Sequence, residues 1–131
     1  MGYALVFSGQ GQQHPGMLPW LARDETLAAL EGELGPDWRE RLADPAVAAD
    51  NRRAQLLLTA TACAAWAQLQ ARLPPPDIVA GYSVGEIAAF AAAGVFDAPT
   101  AMSLASARAA CMDAAAAGAS NGSDAGLKSG T

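Results

Sequence analysis

The sequence predicts an α/β fold with parallel strands and flanking helices, on three observations. Two short apolar runs rich in β-formers, Tyr3 to Phe7 (YALVF) and Asp77 to Gly81 (DIVAG), each lead into a glycine-containing turn. Between them, Leu57, Ala60, Ala64, Ala67 and Leu69 keep an apolar stripe at helical spacing. A second helical pattern, Val84 to Ala93, follows directly on the second run.

Composition bounds the alternatives. A chain of 131 residues, 52% apolar and 16% charged, suits one globular domain with a real core. Its net charge of -5, with Arg52-Arg53 as the one basic doublet, argues against a nucleic-acid partner. No basic leader followed by an apolar stretch, no run of 18 apolar residues and no myristoylation pattern is read, Val6 standing where Ser or Thr is needed. The expectation is therefore no membrane association and a cytoplasmic location. Cys63 and Cys111 lack metal-ligand spacing and are expected to be reduced, buried thiols, with no metal site.

The elements follow in order. Tyr3 to Phe7 is a buried strand ended by Ser8-Gly9, and the turn GQGQQHPG comes next. Between Leu18 and Leu42 the pattern predicts several short helical segments, punctuated by Gly32, Gly35-Pro36 and Pro45. A long helix is predicted from Asn51 to Leu73, stopped by Pro74-Pro75-Pro76. Asp77 to Gly81 is the second strand, and Gly94 closes the helix after it. Asp97 caps a last helix, with Pro99 in its first turn, running through Arg108 to about Ala117. Residues 1–117 thus form the folded portion, and 118–131 (GASNGSDAGLKSGT) are expected to be a flexible polar tail or linker.

The chemistry centres on Gly81-Tyr82-Ser83-Val84-Gly85. In a G-x-S-x-G elbow a serine sits on a tight turn between strand and helix, and flanking glycines let the backbone approach without a Cβ clash. Ser83 is then a nucleophile for a carbonyl carbon, and the Val84 N–H at the helix N-terminus stabilises the oxyanion. The same residues also suit a glycine turn in which Ser83 only caps the helix. After the first strand, Ser8-Gly9-Gln10-Gly11 can lie beside Ser83, because loops at the C-terminal ends of parallel strands converge on one crevice. Gln10 would add a second backbone donor; the alternative is a solvated turn. Arg108 stands out on an apolar helix: a guanidinium can hold a carboxylate bidentately, or it can snorkel to solvent.

Three motifs, F-S-G-Q-G-Q-Q, G-Y-S-V-G-E and R-A-A-C-M, resemble in order and spacing those of the malonyl-CoA:acyl-carrier-protein transacylases and the acyltransferase domains of polyketide synthases. The resemblance spans about residues 3 to 115. It implies that Ser83 accepts the acyl group, that Gln10 and Val84 supply the oxyanion hole, and that Arg108 pairs with the malonyl carboxylate. Met112 matches the methionine one turn after that arginine. Gln55 resembles a glutamine near the family's active site, after a small shift in alignment. The implied partners are malonyl-CoA and an acyl carrier protein whose phosphopantetheine thiol receives the malonyl group; no further cofactor is implied.

Two positions depart from the family pattern. Ser8 replaces a proline, and Tyr82 replaces the histidine usual before the nucleophile, a position for specificity and packing. G-Y-S-V-G-E with its alanine-rich helix most resembles the transacylase serving malonate decarboxylase, with the fatty-acid-type enzyme next. The family's general base is a histidine about a hundred residues beyond the serine, whereas this sequence ends 48 positions after Ser83 and its one histidine, His14, lies in the first turn.

The resemblance therefore implies the N-terminal part of an α/β hydrolase-like acyltransferase domain, without its inserted ferredoxin-like subdomain. The expectation is a thin core with open strand edges and low stability in isolation, completed by a companion chain or by the rest of a longer protein. Besides acyl transfer, a serine esterase or thioesterase and an inactive fragment remain open on the residues themselves.

Overall fold

The computed structural model describes residues 2–11 and 13–128, with side chains through Ala119. Strand β1 is Ala4–Phe7 and strand β2 is Ile78–Gly81, and they pair in parallel with Ala4 opposite Ile78 and Phe7 opposite Gly81. Pairing extends one step before the strands: Asp77 N donates to Tyr3 O at 3.0 Å, and Tyr3 N donates to Asp77 Oδ2 at 2.9 Å. The side chain of Tyr3 also bonds to Pro74 O. The strand ends predicted at Tyr3 and Asp77 are thus tied, though outside the regular ladder.

Helix α1 (Glu25–Leu34) is capped by Asp24, whose side chain accepts from Leu27 N, and it closes at Gly35, where φ is +96°. It runs unbroken through Gly32, where several short segments were expected. A helical glycine costs about 1 kcal/mol, which the buried Leu27, Leu30 and Leu34 offset. A 3₁₀ turn (Glu40–Ala43) and the short helix α2 (Pro45–Ala48) follow.

Helix α3 (Asn51–Leu69) is capped by Asp50, and a 3₁₀ turn (Gln70–Arg72) carries the chain to the prolines. Helix α4 (Gly85–Ala92) comes directly after the Ser83 turn. Helix α5 (Ala98–Lys128) begins after Asp97, whose Oδ1 accepts from Thr100 N at 2.9 Å. It continues past its expected end near Ala117, through Gly118, Gly122 and Gly126, to Lys128. Residues 129–131 of the expected tail lie outside the described residues.

The core gathers around α3. Leu56, Leu57, Ala60 and Ala64 pack with Leu27, Leu30, Leu34, Trp38, Leu42 and Met102. Alanines line the rest of the approach to α5, with Ala54, Ala101, Ala105 and Ala109 buried, so the two helices come close together. Cys111 is exposed, not buried as expected, because α5 beyond Ala109 presents its residues to solvent; Cys63 is half-buried. Among the described residues no helix is long and apolar enough to cross a membrane.

Candidate functional site

The Ser83 turn is built by close backbone approach. A Cβ on Gly81 would lie 2.3 Å from Gly85 O, and one on Gly85 would lie 2.4 Å from Phe7 O. Each glycine therefore lets α4 seat on the ends of both strands, and Tyr82 N continues the ladder to Phe7 O at 2.9 Å. Ser83 carries the fold through a left-handed φ of +57°, a strained conformation for a non-glycine residue and one that concentrates at functional turns.

The capping alternative is not what the geometry has. The start of α4 at Val84 has no side-chain cap, and Ser83 Oγ instead accepts a hydrogen bond from Arg108 Nη2 at 3.3 Å. The turn bonds its amides from Gly85, Glu86 and Ile87, to Tyr82 O, Ser83 O and Val84 O. Val84 N is not among those donors, and the Val84 side chain is buried beneath the turn.

The first loop reaches the same place. A Cβ on Gly9 would lie 3.1 Å from Tyr82 O and 3.2 Å from both Ser83 Cβ and Tyr82 Cδ1, so only a glycine passes easily between them. Gln10 follows, exposed, and Gly11 N is turned back onto Gln13 Oε1 at 2.6 Å. Tyr82 itself is 77% exposed at the rim. His14 stays in its own turn, where Nδ1 accepts from Gly16 N at 3.1 Å.

Arg108 is half-buried and held at one edge. Its Nη1 donates to Gln55 Oε1 at 2.8 Å and to Met112 Sδ at 3.0 Å, one helical turn further along α5. Nη2 faces Ser83. Gln55, fully buried on α3, donates through Nε2 to Asn51 Oδ1 at 2.9 Å and Met112 Sδ at 3.1 Å. Neither ion pair among the described residues involves Arg108; they join Arg23 to Glu31 and Arg52 to Glu33. A carboxylate entering beside Ser83 would therefore find a guanidinium with its positive charge not already matched.

Ser83, Arg108, Met112 and Gln55, singled out from the sequence, thus meet in one cluster, with Val84 beneath it and the Gly9-Gln10 loop alongside. Sequence reasoning missed Asn51 and Asp113, which complete the polar chain behind Gln55 through an Asn51 Nδ2 to Asp113 Oδ1 bond of 2.9 Å. Their spacing in sequence carries no local signal. Arg52, of the basic doublet, is engaged with Glu33 at 3.2 Å.

No protein-family model matches the chain. It is 42% identical over 118 residues to a malonyl CoA-acyl carrier protein transacylase of Mycobacterium tuberculosis, an alignment covering 83% of this chain and 39% of that protein. It is 36% identical over 128 residues to a polyketide synthase of Streptomyces halstedii, covering 86% of this chain and 2% of that one. The crystal structure of the Synechocystis malonyl-CoA:ACP transacylase superposes with a TM-score of 0.76 at 35% identity, over 88% of this chain and 41% of that one. The α/β architecture with parallel strands and flanking helices is thus that of part of a malonyltransferase. In sequence and fold this chain is thus similar to part of malonyl-CoA:acyl-carrier-protein transacylases, and it spans about two fifths of the length of the mycobacterial relative.

Proposed function

We propose that this chain carries the acyl-accepting and carboxylate-selecting half of a malonyl-CoA:acyl-carrier-protein transacylase site. The observation that carries the reading is Arg108, fixed by Gln55 at 2.8 Å and standing 3.3 Å from Ser83 Oγ. In malonyl one methylene separates the reacting carbonyl from the free carboxylate, so a selecting cation must stand within a few ångströms of the nucleophile. An esterase would have no use for such a cation there.

In the proposed reaction Ser83 Oγ attacks the thioester carbonyl of malonyl-CoA while its proton passes to a base. The negative oxygen is met by the Val84 and Gln10 N–H groups, and the C–S bond breaks as CoA thiolate leaves and takes up the proton. The phosphopantetheine thiol of a carrier protein then attacks the malonyl-serine ester, and Ser83 is regenerated. No cofactor besides that carrier-borne arm is needed. The base is proposed to be a histidine outside these 131 residues, in the remainder of a longer domain or in a companion chain. Arg108 cannot take the proton, since a guanidinium stays charged.

Among subtypes, the malonate decarboxylase-associated transferase is the one proposed, on G-Y-S-V-G-E with an exposed Tyr82 at the rim; the fatty-acid or polyketide type is the alternative. A cytoplasmic setting accords with CoA thioesters as substrates.

Intact-protein mass spectrometry after incubation with malonyl-CoA or acetyl-CoA tests the reading, on the chain alone and with a polypeptide supplying the rest of the domain. A malonyl adduct is expected on wild type and none on Ser83→Ala. Arg108→Ala should lower the malonyl preference over acetyl about 100-fold, the loss of two charge-assisted hydrogen bonds. An unchanged preference would remove Arg108 from its role.

A further inference from the structure

Behind Arg108 lies a polar relay that runs in one direction. Asp113 Oδ1 accepts from Asn51 Nδ2 at 2.9 Å, Asn51 Oδ1 accepts from Gln55 Nε2 at 2.9 Å, and Gln55 Oε1 accepts from Arg108 Nη1 at 2.8 Å. A carboxylate only accepts hydrogen bonds and a guanidinium only donates them. With Asp113 at one end, the Asn51 amide must turn its NH₂ toward α5 and its oxygen toward Gln55. Gln55 must then turn its oxygen to Arg108. Neither amide can flip without setting two like groups against each other.

A second bond, from Asn51 Nδ2 to Ala109 O at 3.4 Å, holds the asparagine in the same sense. Gln55 is wholly buried, so a flipped amide there could not turn to solvent for a partner.

We propose that Asn51 and Asp113 are positioning residues for carboxylate selection: they lock the Gln55 amide so that Arg108 is fixed through Nη1 and presents Nη2 beside Ser83. The relay also keeps the counter-charge two amides away from the guanidinium. Asp113 orders Arg108 without pairing with it, and the cation stays available to an incoming carboxylate. This inference rests on the transacylase reading for its consequence, but not for its geometry.

Two measurements separate the two. The first is the ratio of malonyl to acetyl transfer onto Ser83, with a polypeptide supplying the rest of the domain present, in wild type, Asn51→Ala, Asp113→Ala and Asp113→Asn. Loss of one locking bond should lower the ratio about three- to tenfold in both alanine variants, and Asp113→Asn, whose oxygen still accepts, should restore most of it. Mere destabilisation lowers both transfers alike and leaves the ratio in place. The second is the ¹⁵N spectrum of the Arg108 guanidinium, assigned with Arg108→Ala: separate Nη signals in wild type should merge as Asn51→Ala frees the group to rotate. A wild-type ratio near one, with the guanidinium signals still merging, would sink the transacylase reading and uphold the relay. Unchanged signals and ratios in both alanine variants would overturn the relay.

Discussion

Gly85→Ala should break the contact on which the Ser83 turn is built. The added Cβ would lie 2.4 Å from Phe7 O, 2.7 Å from Ser8 O and 2.8 Å from Phe7 C. All three are backbone atoms, so no side chain can swing aside. Reaching even 3.0 Å from Phe7 O requires α4 to retreat from the end of β1 by about 0.6 Å, a gap that forfeits roughly a quarter of each dispersion contact across the seam. Phe7 O is also the acceptor for Tyr82 N at 2.9 Å, so the same shift strains the last bond of the strand ladder. Overpacking costs about 1 to 3 kcal/mol, and a clash with backbone on three sides belongs at the upper end. For a domain of this size, about 3 kcal/mol lowers Tm by roughly 10 °C. The control is Gly32→Ala, where nothing lies within 4 Å and the backbone is helical; it should gain about 0.5 to 1 kcal/mol. Thermal and urea melts followed by circular dichroism measure both. If the two variants melt alike, close approach is not what requires glycine at position 85.

Thr59 is buried, and its hydroxyl has no partner among the described residues. Thr59→Val, equal in shape, should raise stability by about 1 kcal/mol in a urea melt, and a loss of that size would show that the hydroxyl is satisfied. Burial pushes the Cys63 thiol up to about 11, helped by the charge of Asp24. Iodoacetamide at pH 8 should therefore label exposed Cys111 well before Cys63 in peptide mapping, and equal rates would refute the packing around α3. Because the folded chain holds that proton more tightly than the unfolded one, stability should fall as pH rises from about 9 toward 11. Asp97 has the opposite sign: hydrogen bonds from the Thr100 side chain and backbone lower its carboxyl below the usual range. Its contribution is present above the ordinary aspartate pKa and is lost as pH falls through the lowered value. Asp97→Ala should accordingly lower Tm at pH 7 and by less at pH 3, and equal losses would refute the cap.

What the sequence determined is what lies within a few residues along the chain. Strand, glycine turn and helix follow one another at Ile78–Gly81, Ser83 and Gly85–Ala92 as the G-x-S-x-G spacing requires, because backbone sterics at Gly81 and Gly85 are local. Arg108 and Met112 share a face of α5 for the same reason, being one helical turn apart. The Asp97 cap is likewise local, its Oδ1 accepting from Thr100 N three residues on, whereas the Asp50 cap of α3 was not singled out from the sequence. The tertiary structure decided what meets across helices. Arg108 bonds Gln55 across 53 positions, and Asn51 bonds Asp113 across 62. Those pairings follow from how closely α3 and α5 approach over buried alanines, and no spacing along the chain encodes that distance. Local rules also gave the wrong result where packing outweighed them: α1 continues through Gly32 on the strength of its buried leucines, and Cys111 is exposed because nothing described covers that part of α5. Residue types and spacing single out Ser83, Arg108 and Gln55, while the approach of α3 and α5 over small residues brings Arg108 and Gln55 within hydrogen-bonding distance.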